Sequence, residues 1–364
     1  METIILISGG NSVEHEISLL TNRQVYNAID KSKYHVESVY ISKDNNFYLI
    51  KDINKNKTLK DYMRIPLTLV KDKNKQYFKC KRKKIYFDYL LPLVHGKGME
   101  DGTLLGYLDF LDIPYLSHSL LSSALGMDKS LSKELVRKNK IKTLNHLLIN
   151  TNNYNYDELI KKLKNYPYIF KANSLGSSIG VEKVNNEYEV IDAINKIGVY
   201  DEWIVIEECL EYFKEYNISL FKKDNEYNIS SIEEINYKKI LSYDDKYSNN
   251  GLENLKREIN PDIGDKLKEQ IISNSKKIYD ILRCEFLVRI DYLYDESNST
   301  LYFNEINMIP GSLAFYLYED KGLLFDKLID NLIEVGKRNR YLKLNKINVL
   351  GDNVLNELVN NIKK

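Results

Sequence analysis

In the first 115 or so residues, short apolar runs alternate with a longer stretch in which apolar residues recur at helical spacing. The run Ile4–Ser8 predicts a buried strand, and the two glycines after it lead into a predicted helix capped near Asn11 or Ser12. His35–Ile41 and Tyr86–Pro92 predict two further strands. Strand, glycine turn, helix and strand in this order favour a parallel sheet covered by helices, with ligands at the carboxyl ends of the strands.

The remaining two thirds of the chain mixes helices with shorter strands. Helices are predicted at Lys129–Lys138 and at Asp265–Leu282, where apolar residues recur at helical spacing. The strands predicted in this part are Tyr168–Lys171, Ile179–Val184, Trp203–Glu207, Leu287–Tyr294 and Thr300–Ile306. We therefore expect an α/β fold that becomes α+β in the C-terminal two-thirds. The expected domains are residues 1–120, 121–209 and 210–340, followed by a tail at 341–364 with one helical pattern at its end.

Composition excludes several classes of protein. Hydrophobic residues make up 43% and charged residues 29%, which is ordinary for a soluble protein with a sizeable core. The 53 basic residues nearly balance the 52 acidic ones, which argues against a dedicated nucleic-acid binder. Apolar runs are too short to span a membrane, and a strand pattern that begins by Ile4 leaves no room for a signal peptide. Three widely spaced cysteines favour a reducing compartment, so we expect a cytoplasmic protein.

The last predicted hairpin carries polar residues that alternate along its strands. Arg289 and Asp291 share a face of the first strand, and Glu305 and Asn307 share a face of the second. Two carboxylates and an amide oxygen form an all-oxygen ligand set that suits magnesium rather than zinc. Magnesium keeps several waters and bridges nucleotide phosphates, so three protein ligands suffice for it. A hairpin whose exposed face is simply polar is the alternative interpretation.

This interpretation depends on the register of the hairpin. If Tyr294 pairs with Thr300 across the polar turn, Arg289 faces Glu305 and all four polar side chains lie on one face. A slip of one residue would move one pair to the opposite face. The register is therefore an assumption that a structure has to test.

The stretch KANSLGSSIG at residues 171–180 lies between two predicted strands. Its glycines, with Ser177 and Ser178, can present backbone N–H groups and hydroxyls to phosphate oxygens. It is not a P-loop, because no Gly-Lys-Ser/Thr follows, and a solvent-exposed hairpin loop is an equally good interpretation. Lys129 and Lys171 are candidate point charges for a phosphate, although most lysines are solvated surface residues. The N-terminal glycines lack the GxGxxG spacing, which argues against a nicotinamide dinucleotide site.

Taken together, six stretches of the sequence resemble the D-alanine–D-alanine ligases of the ATP-grasp family. They occur in the family's order between residue 4 and about residue 330, and six motifs in order are specific where one would be weak. The stretches are ISGGNSVEHEISLL (7–20), VHGKGMEDGT (94–103), SALGMDK (123–129), KANSLGSSIG (171–180), VRID (288–291) and NEINMIPG (304–311). The resemblance implies an N-terminal Rossmann-like parallel sheet followed by a two-subdomain ATP-grasp fold.

The reaction that the resemblance implies joins two D-alanines at the expense of ATP. The carboxylate of the first amino acid attacks the γ-phosphate, and the amine of the second displaces phosphate from the acyl phosphate through a tetrahedral intermediate. ATP and two magnesium (or manganese) ions are the implied cofactors. By resemblance, Asp291, Glu305 and Asn307 hold the ions, while Lys129 and Lys171 contact phosphate oxygens.

Three further roles follow from the resemblance. Arg289 would stabilise the acyl phosphate and the later oxyanion, which the backbone N–H of Gly311 would also bind. Ser177 and its loop would cover the phosphates and exclude water, which would otherwise hydrolyse the acyl phosphate.

The adenine is expected between the two ATP-grasp segments. Glu207 matches the acid that contacts the adenine amino group, and the backbone of Cys209 and Leu210 would supply further contacts. Glu215 would hold the ribose hydroxyls, although the run before it is one residue longer than usual. For both glutamates, an ordinary surface acid is the alternative.

The first amino acid is expected near the N-terminal glycines. Glu14 matches the carboxylate that binds its ammonium group, and His95 lies near the same subsite. In the family this glutamate is linked to a loop serine and a tyrosine, here Ser177 and Tyr247. Lys246, next to that tyrosine, would meet the carboxylate of the second substrate from a mobile loop.

The subsite for the second amino acid departs from the family pattern. After the Pro-Gly at residues 310–311 the chain reads SLAFYLY, and Tyr316 stands where the ligases carry a serine that binds the second carboxylate. A tyrosine hydroxyl still donates a hydrogen bond, but it reaches further and fills more space. A related ligase with D-serine, D-lactate or another acceptor is therefore the alternative to a D-alanyl-D-alanine ligase serving peptidoglycan synthesis.

A nucleotide-binding protein without catalysis is a third hypothesis, against which the intact hairpin residues argue. The expected partners are D-alanine and ATP, with no nucleic acid and no membrane. The resemblance also implies a homodimer formed through the N-terminal domain.

Overall fold

The protein is represented by a computed structural model that describes residues 1–51, 53, 64–73, 75–236 and 256–346. Its strands form three sheets, each flanked by helices. The first sheet has seven strands in the order β6-β5-β4-β3-β2-β1-β7. Its elements are β1 (Glu2–Gly9), α1 (His15–Ala28), β2 (Tyr34–Ile41), β3 (Phe47–Ile50), β4 (Arg64–Asp72), β5 (Lys75–Cys80), β6 (Lys83–Tyr86), β7 (Tyr89–Pro92) and α2 (Thr103–Phe110).

The parallel sheet predicted for the N-terminal part is confirmed around β1, which pairs in parallel with β2 and with β7. Strands β3 to β6 add an antiparallel meander at one edge. The predicted strand Tyr86–Pro92 is in fact two strands, because Phe87 and Asp88 separate β6 from β7. The carboxyl ends of β1 and β7 lie side by side, as a ligand site between them requires.

Helix α1 begins later than its sequence predicts and buries a polar face. Its first residue is His15, so Ser12 does not cap the helix, although its hydroxyl accepts a hydrogen bond from the N–H of Glu14. The buried Ser18 hydroxyl donates to the carbonyl of Leu93 and accepts from a strand N–H. These satisfied polar contacts share the buried face of the helix with the apolar Val25, whereas Leu20 is exposed.

The second sheet is antiparallel, with strand order β10-β9-β11-β8. Helix α6 covers it with a face of small and branched apolar residues, which keeps the sheet side of the helix free of polar groups. The elements of this part are α3 (Leu120–Met127), α4 (Lys129–Lys138), β8 (His146–Asn150), α5 (Tyr156–Lys162), β9 (Tyr168–Ala172), β10 (Val181–Val184), α6 (Val190–Gly198) and β11 (Trp203–Glu208).

The third sheet is antiparallel too, in the order β14-β13-β12-β15-β16. Helix α7 packs on one face of it, and the last long helix, α9, packs against the N-terminal sheet in one continuous apolar core. Its elements are β12 (Phe213–Lys223), β13 (Glu226–Asn236), β14 (Lys256–Ile259), α7 (Asp265–Ile281), β15 (Val288–Asp295), β16 (Thr300–Asn307), α8 (Phe315–Glu319) and α9 (Phe325–Leu344).

Two expectations from composition can be compared with this architecture. All three cysteines are free, as their spacing predicted. Among the helices of the described ranges, none combines the length and the apolar composition that a membrane crossing requires. The helical pattern predicted near the end of the tail lies outside the described residues.

Candidate active site

One cavity of about 500 Å³ lies where the three sheets meet. It collects every site residue predicted from the sequence that falls within the described ranges. These residues are Glu14, His95, Lys129, Lys171, Ser177, Ser178, Glu207, Cys209, Leu210, Glu215, Arg289, Asp291, Glu305, Asn307, Gly311 and Tyr316. Lys246 and Tyr247, predicted to contact the substrates, lie outside the described residues.

The register expected for the hairpin of β15 and β16 is wrong by one residue at the turn. Asp295 pairs with Thr300, and Tyr294 pairs with Leu301. The Asp295 carboxylate accepts hydrogen bonds from the turn, which fixes the end of the strand at this residue. Further along, the ladder shifts again because Asn304 is an extra residue in β16, a β-bulge.

The bulge restores the face on which the polar side chains lie. The shift of one residue at the turn would by itself place Glu305 and Asn307 on the face opposite Arg289 and Asp291. The bulge adds a second shift of one residue, which returns them to the same face. As a result, Asp291 pairs with Glu305 and Arg289 pairs with Asn307, and all four side chains line the cavity. The predicted shared face is confirmed, although the predicted pairs are not.

Arg289 and Asp291 form a two-bonded ion pair in the wall of the cavity. The Nε and Nη2 atoms of Arg289 donate to the two carboxylate oxygens of Asp291, each at 2.7 Å. The amide of Asn307 donates to the same carboxylate at 2.9 Å. Burial opposes the charge of the guanidinium, but Asp291 holds the pKa of Arg289 well above its ordinary value. Arg289 is therefore a permanent cation in the cavity wall.

The hairpin residues fit a divalent cation. Asp291 and Glu305 face each other directly across two strands, an arrangement in which like charges repel. Burial raises the pKa of Asp291, and the charge of Glu305 adds to the rise although Arg289 opposes it. Lys129 Nζ, 3.4 Å from Glu305 Oε2, relieves the repulsion only in part. Two carboxylates and the Asn307 amide are the hard oxygen donors that magnesium prefers.

Two lysines line the cavity, Lys129 and Lys171. Lys129 begins α4 and donates to the backbone carbonyl of Leu175. Lys171 Nζ lies 2.7 Å from Glu207 Oε2 and donates to the Asn304 side chain at 3.2 Å. The extra residue of the bulge therefore orients a predicted phosphate-binding lysine.

Glu207 is held by two lysines. Its second oxygen lies 2.7 Å from Lys133 Nζ, and both of these side chains are buried. Burial opposes ionisation, but the charges of Lys133 and Lys171 lower the pKa of Glu207 to about 2. It is therefore a carboxylate locked between cations and not the surface acid that the alternative interpretation assumed. The cavity wall continues from it through Cys209 and Leu210 to Glu215 on β12.

The loop between β9 and β10 closes over the other side of the cavity. Ser177 and Ser178 both have positive φ, 55° and 59°, which turns the backbone back sharply. The Ser177 hydroxyl donates to Glu14 Oε1, so the loop is tied to the start of α1. Burial raises the pKa of Glu14, while this hydrogen bond and the charge of Lys129 oppose the rise.

The glycine at position 96 allows this close approach. A Cβ added at Gly96 would lie 2.7 Å from Glu14 Oε2 and 2.5 Å from the Ser12 hydroxyl, and its φ is 72°. The neighbouring His95 is buried, and its Nε2 lies 2.9 Å from the Thr21 hydroxyl. Burial lowers the pKa of His95 to about 4, so it is neutral near pH 7 and supplies no charge to a substrate.

The segment that contains Gly311 is held by hydrogen bonds to Thr21 of α1 and to Glu100, which precedes α2. The backbone N–H of Ile309 donates to Glu100 Oε1 at 2.9 Å, and that of Ser312 donates to the Thr21 hydroxyl at 3.1 Å. Glu100 also accepts from the N–H of Gly96 at 2.8 Å. These bonds hold Gly311 at the cavity wall between two fixed points.

Tyr316 lines the cavity from α8, where the hydroxyl donates to Glu233 Oε2 at 3.0 Å. Glu233 lies on β13 and is buried, and Arg257 Nε on β14 lies 3.8 Å from its other oxygen. The tyrosine that departs from the family pattern thus belongs to a small charged cluster.

Sequence reasoning missed Glu100, Lys133 and Asn304, although signals for them existed. Glu100 and Asn304 lie inside two of the stretches that carry the resemblance, and Lys133 follows Lys129 by one helical turn. Glu233 gave no signal, because a strand rich in glutamate is typical of a solvated face.

Comparisons with known proteins agree with this geometry. A family model described as "D-ala D-ala ligase N-terminus" matches residues 3–118, and one described as "D-ala D-ala ligase C-terminus" matches residues 135–334. A D-alanine--D-alanine ligase of Thermosipho africanus is 34% identical over 344 residues, which cover 92% of this chain and 93% of the relative.

Solved structures give the same result for the fold. The VanG D-Ala:D-Ser ligase of Enterococcus faecalis is 27% identical with a TM-score of 0.79, covering 92% of this chain and 99% of that one. A D-alanine--D-alanine ligase of Bacillus anthracis complexed with ATP is 26% identical with a TM-score of 0.69, covering 94% and 100%. The expected fold, a Rossmann-like sheet followed by an ATP-grasp fold, is confirmed. On the family models and the 34% identity, the chain belongs to the D-alanine–D-alanine ligase family.

Proposed function

We propose that the protein joins two D-alanines to D-alanyl-D-alanine with ATP, through an acyl phosphate, in the synthesis of peptidoglycan. The observation that carries this proposal is the convergence of Arg289, Asp291 and Glu305 with Lys129 and Lys171 in one cavity. A carboxylate and a triphosphate repel each other, so a ligase needs cations on both to hold them in line. This cavity supplies them.

Asp291, Glu305 and Asn307 are the residues that would hold two magnesium ions. Bound there, such ions would supply positive charge that neutralises phosphate oxygens and polarises the phosphoryl group. Lys129 and Lys171 contact the phosphates from beside these ligands, since Lys129 lies 3.4 Å from Glu305 and Lys171 is held by Glu207 and Asn304.

The nucleotide base and ribose fit the far end of the cavity. Glu207 is the acceptor for the adenine amino group, with backbone contacts from Cys209 and Leu210. Glu215 binds the ribose hydroxyls. Ser177 and Ser178 cover the phosphates with their loop, which excludes water from the acyl phosphate.

The first D-alanine binds beside α1. The buried carboxylate of Glu14 receives its ammonium group, and Ser177 holds that carboxylate in place. Tyr247 completes this link, and His95 shapes the subsite as a neutral side chain. The carboxylate of the first D-alanine then points to the phosphates, as transfer requires.

Arg289 and the backbone N–H of Gly311 stabilise the negative charge that develops on the tetrahedral intermediate. Donors that are already in place cost no reorganisation when charge develops, and removing one such donor typically lowers kcat about 10²–10³-fold. The bonds from Glu100 and Thr21 to the Gly311 segment provide this preorganisation.

The acceptor is a second D-alanine, with Lys246 and Tyr316 near its carboxylate. The relative at 34% identity is a D-alanine--D-alanine ligase, whereas the D-Ala:D-Ser ligase is 27% identical. D-Alanine therefore has the stronger support over D-serine or D-lactate. We further propose that the enzyme is cytoplasmic and that it is a homodimer. The molecular mass in solution tests the homodimer directly.

The first test is phosphate release from ATP and Mg²⁺ with D-alanine alone, followed by chromatography of the product. Steady formation of D-alanyl-D-alanine is the expected result. Glu305→Gln is expected to lose at least about 10²-fold in kcat, while Glu269→Gln on the exposed face of α7 keeps wild-type turnover. Phosphate release only with another acceptor would overturn the assigned second substrate, and wild-type turnover by Glu305→Gln would overturn the metal site.

A further inference from the structure

A buried carboxylate on β13 faces the cavity with one oxygen still available. Glu233 is 1% exposed, and its Oε2 accepts the hydrogen bond from Tyr316. Its Oε1 has no hydrogen-bond donor among the described residues. Arg257 Nε, at 3.8 Å, is beyond hydrogen-bond distance from this oxygen and leaves its acceptor capacity open. A buried carboxylate oxygen without a donor is costly unless a ligand supplies one.

Glu233, Glu14 and Arg289 all line the same cavity. Glu233 pairs with Asn217 of β12, and Asn217 pairs with Asp291 of β15, so Glu233 lies two strands from Asp291 on the face that also carries Arg289. Glu14 precedes α1 and reaches the cavity from the N-terminal part of the chain. The positive charge of Arg289 favours the ionised form of Glu14, and the negative charge of Glu233 favours the cationic form of Arg289.

The reaction needs two ammonium sites beside one oxyanion site. Each amino acid substrate carries an ammonium group, and a buried carboxylate is the natural partner for such a cation. Glu14 serves the first amino acid in the proposed function. We propose that Glu233 binds the ammonium group of the second amino acid and that Tyr316 is the residue that positions Glu233. This inference rests on the proposed function and assigns the acceptor end of the same cavity.

Such a site also provides an acceptor for a proton that the ammonium group of the second amino acid has to lose. One proton passes from the acceptor ammonium to Glu233 Oε1, which leaves a neutral amine. The amine nitrogen forms a bond to the acyl carbon, and the bond from that carbon to the phosphate oxygen breaks as phosphate leaves. After the attack the nitrogen carries one proton more than an amide nitrogen does, and this proton leaves with the phosphate. The inference predicts preference for an amine over a hydroxy acid, because a hydroxyl brings no positive charge to Glu233.

The test compares Glu233→Gln with the wild-type enzyme in D-alanine turnover, where the two substrate sites give separate KM values. We expect the acceptor KM to rise about 10–100-fold, the size of a lost hydrogen bond to a charged group. The donor KM and the KM for ATP stay within about 3-fold. Tyr316→Phe is expected to raise the acceptor KM by a smaller factor, about 3–10-fold, because the carboxylate remains but loses its anchor.

Inhibition by D-lactate separates recognition of charge from general damage. D-Lactate keeps the methyl and carboxylate groups of D-alanine and lacks the ammonium, so its inhibition constant against the acceptor is expected to be unchanged in Glu233→Gln. Glu258→Gln, an exposed acid on β14, is the matched control with wild-type constants. An unchanged acceptor KM, or equal weakening of D-alanine and D-lactate, would overturn the inference. Absence of D-alanyl-D-alanine from the wild-type enzyme would instead overturn the proposed function.

Discussion

Burial determines the charge state of single residues in this cavity. Glu207 is ionised because two lysines face it, whereas Glu100, also buried, accepts hydrogen bonds from the backbone N–H groups of Gly96 and Ile309. Burial therefore raises the pKa of Glu100 to about 8, and the nearby charge of Glu14 contributes to the rise. The two glutamates differ in charge at neutral pH because of their neighbours.

The shifted pKa of Glu100 predicts a pH dependence of stability. The folded protein keeps a proton on Glu100 that the unfolded chain releases above its ordinary pKa of 4.5. The free energy of unfolding therefore falls as pH rises from about 4.5 to about 8. Glu100→Gln is expected to remove this part of the slope, which urea unfolding at several pH values measures.

The exposed acid Glu269 on α7 is a suitable control for that experiment. Glu269→Gln should leave the slope as it is in the wild-type protein. A Glu100→Gln variant whose stability depends on pH as steeply as that of the wild type would contradict the assignment. The relevant comparison is of slopes, since the substitution also changes a hydrogen bond to Ile309.

At the scale of elements, two local irregularities form the site. The bulge at Asn304 returns the polar residues of β16 to the cavity and aims the extra side chain at Lys171. The turn in the β9–β10 loop depends on two serines with positive φ. Both features bend the backbone where regular structure would point side chains elsewhere.

The loop conformation leads to a prediction for Ser178. Its φ of 59° lies in the left-handed region, where glycine is unstrained and a β-branched residue is strongly disfavoured. Ser178→Gly is expected to keep kcat within about 3-fold. Ser178→Val is expected to lower kcat about 5- to 30-fold, the factor that corresponds to about 1–2 kcal/mol of left-handed strain.

Hydrolysis of ATP without dipeptide formation gives a second readout for the same pair. A displaced loop admits water to the acyl phosphate, so Ser178→Val should release more phosphate per dipeptide formed than Ser178→Gly does. An equal ratio of phosphate released to dipeptide formed in the two variants would show that this loop does not exclude water.

At the scale of the whole molecule, the site exists only where three sheets meet. Glu14 and Glu100 come from the N-terminal part, Lys129 and Lys171 from the middle, and Arg289 from the third sheet. Ligands that bridge these parts bind the folded state alone. Binding therefore adds to the free energy of unfolding.

ATP with Mg²⁺ is accordingly expected to stabilise the protein against thermal unfolding. At a ligand concentration about 100 times Kd the gain is about 2.7 kcal/mol, and chelation of the metal by EDTA should remove most of it. Glu305→Gln should show a smaller shift in Tm than the wild type at equal ATP and Mg²⁺. An identical Tm shift in EDTA would contradict a metal-bridged nucleotide.

The sequence predicted part of the elements and most of the residues of the site, whereas α3, α6 and α9 were not located from it. Apolar runs and helical spacing are local properties, so α4 was predicted at its observed bounds and β1 and β15 to within two residues. The motifs that carry the resemblance are contiguous, and they contain most of the predicted residues that line the cavity.

Only the tertiary structure decided register, partners and charge. The bulge depends on how two strands pair, and the polar buried face of α1 depends on which strand groups it meets. Glu207 met its two lysines, and Glu233 met Tyr316, across distances in sequence that no local pattern encodes. Side-chain charge in a cavity depends on burial and on neighbouring charges, and both are set when distant segments pack together.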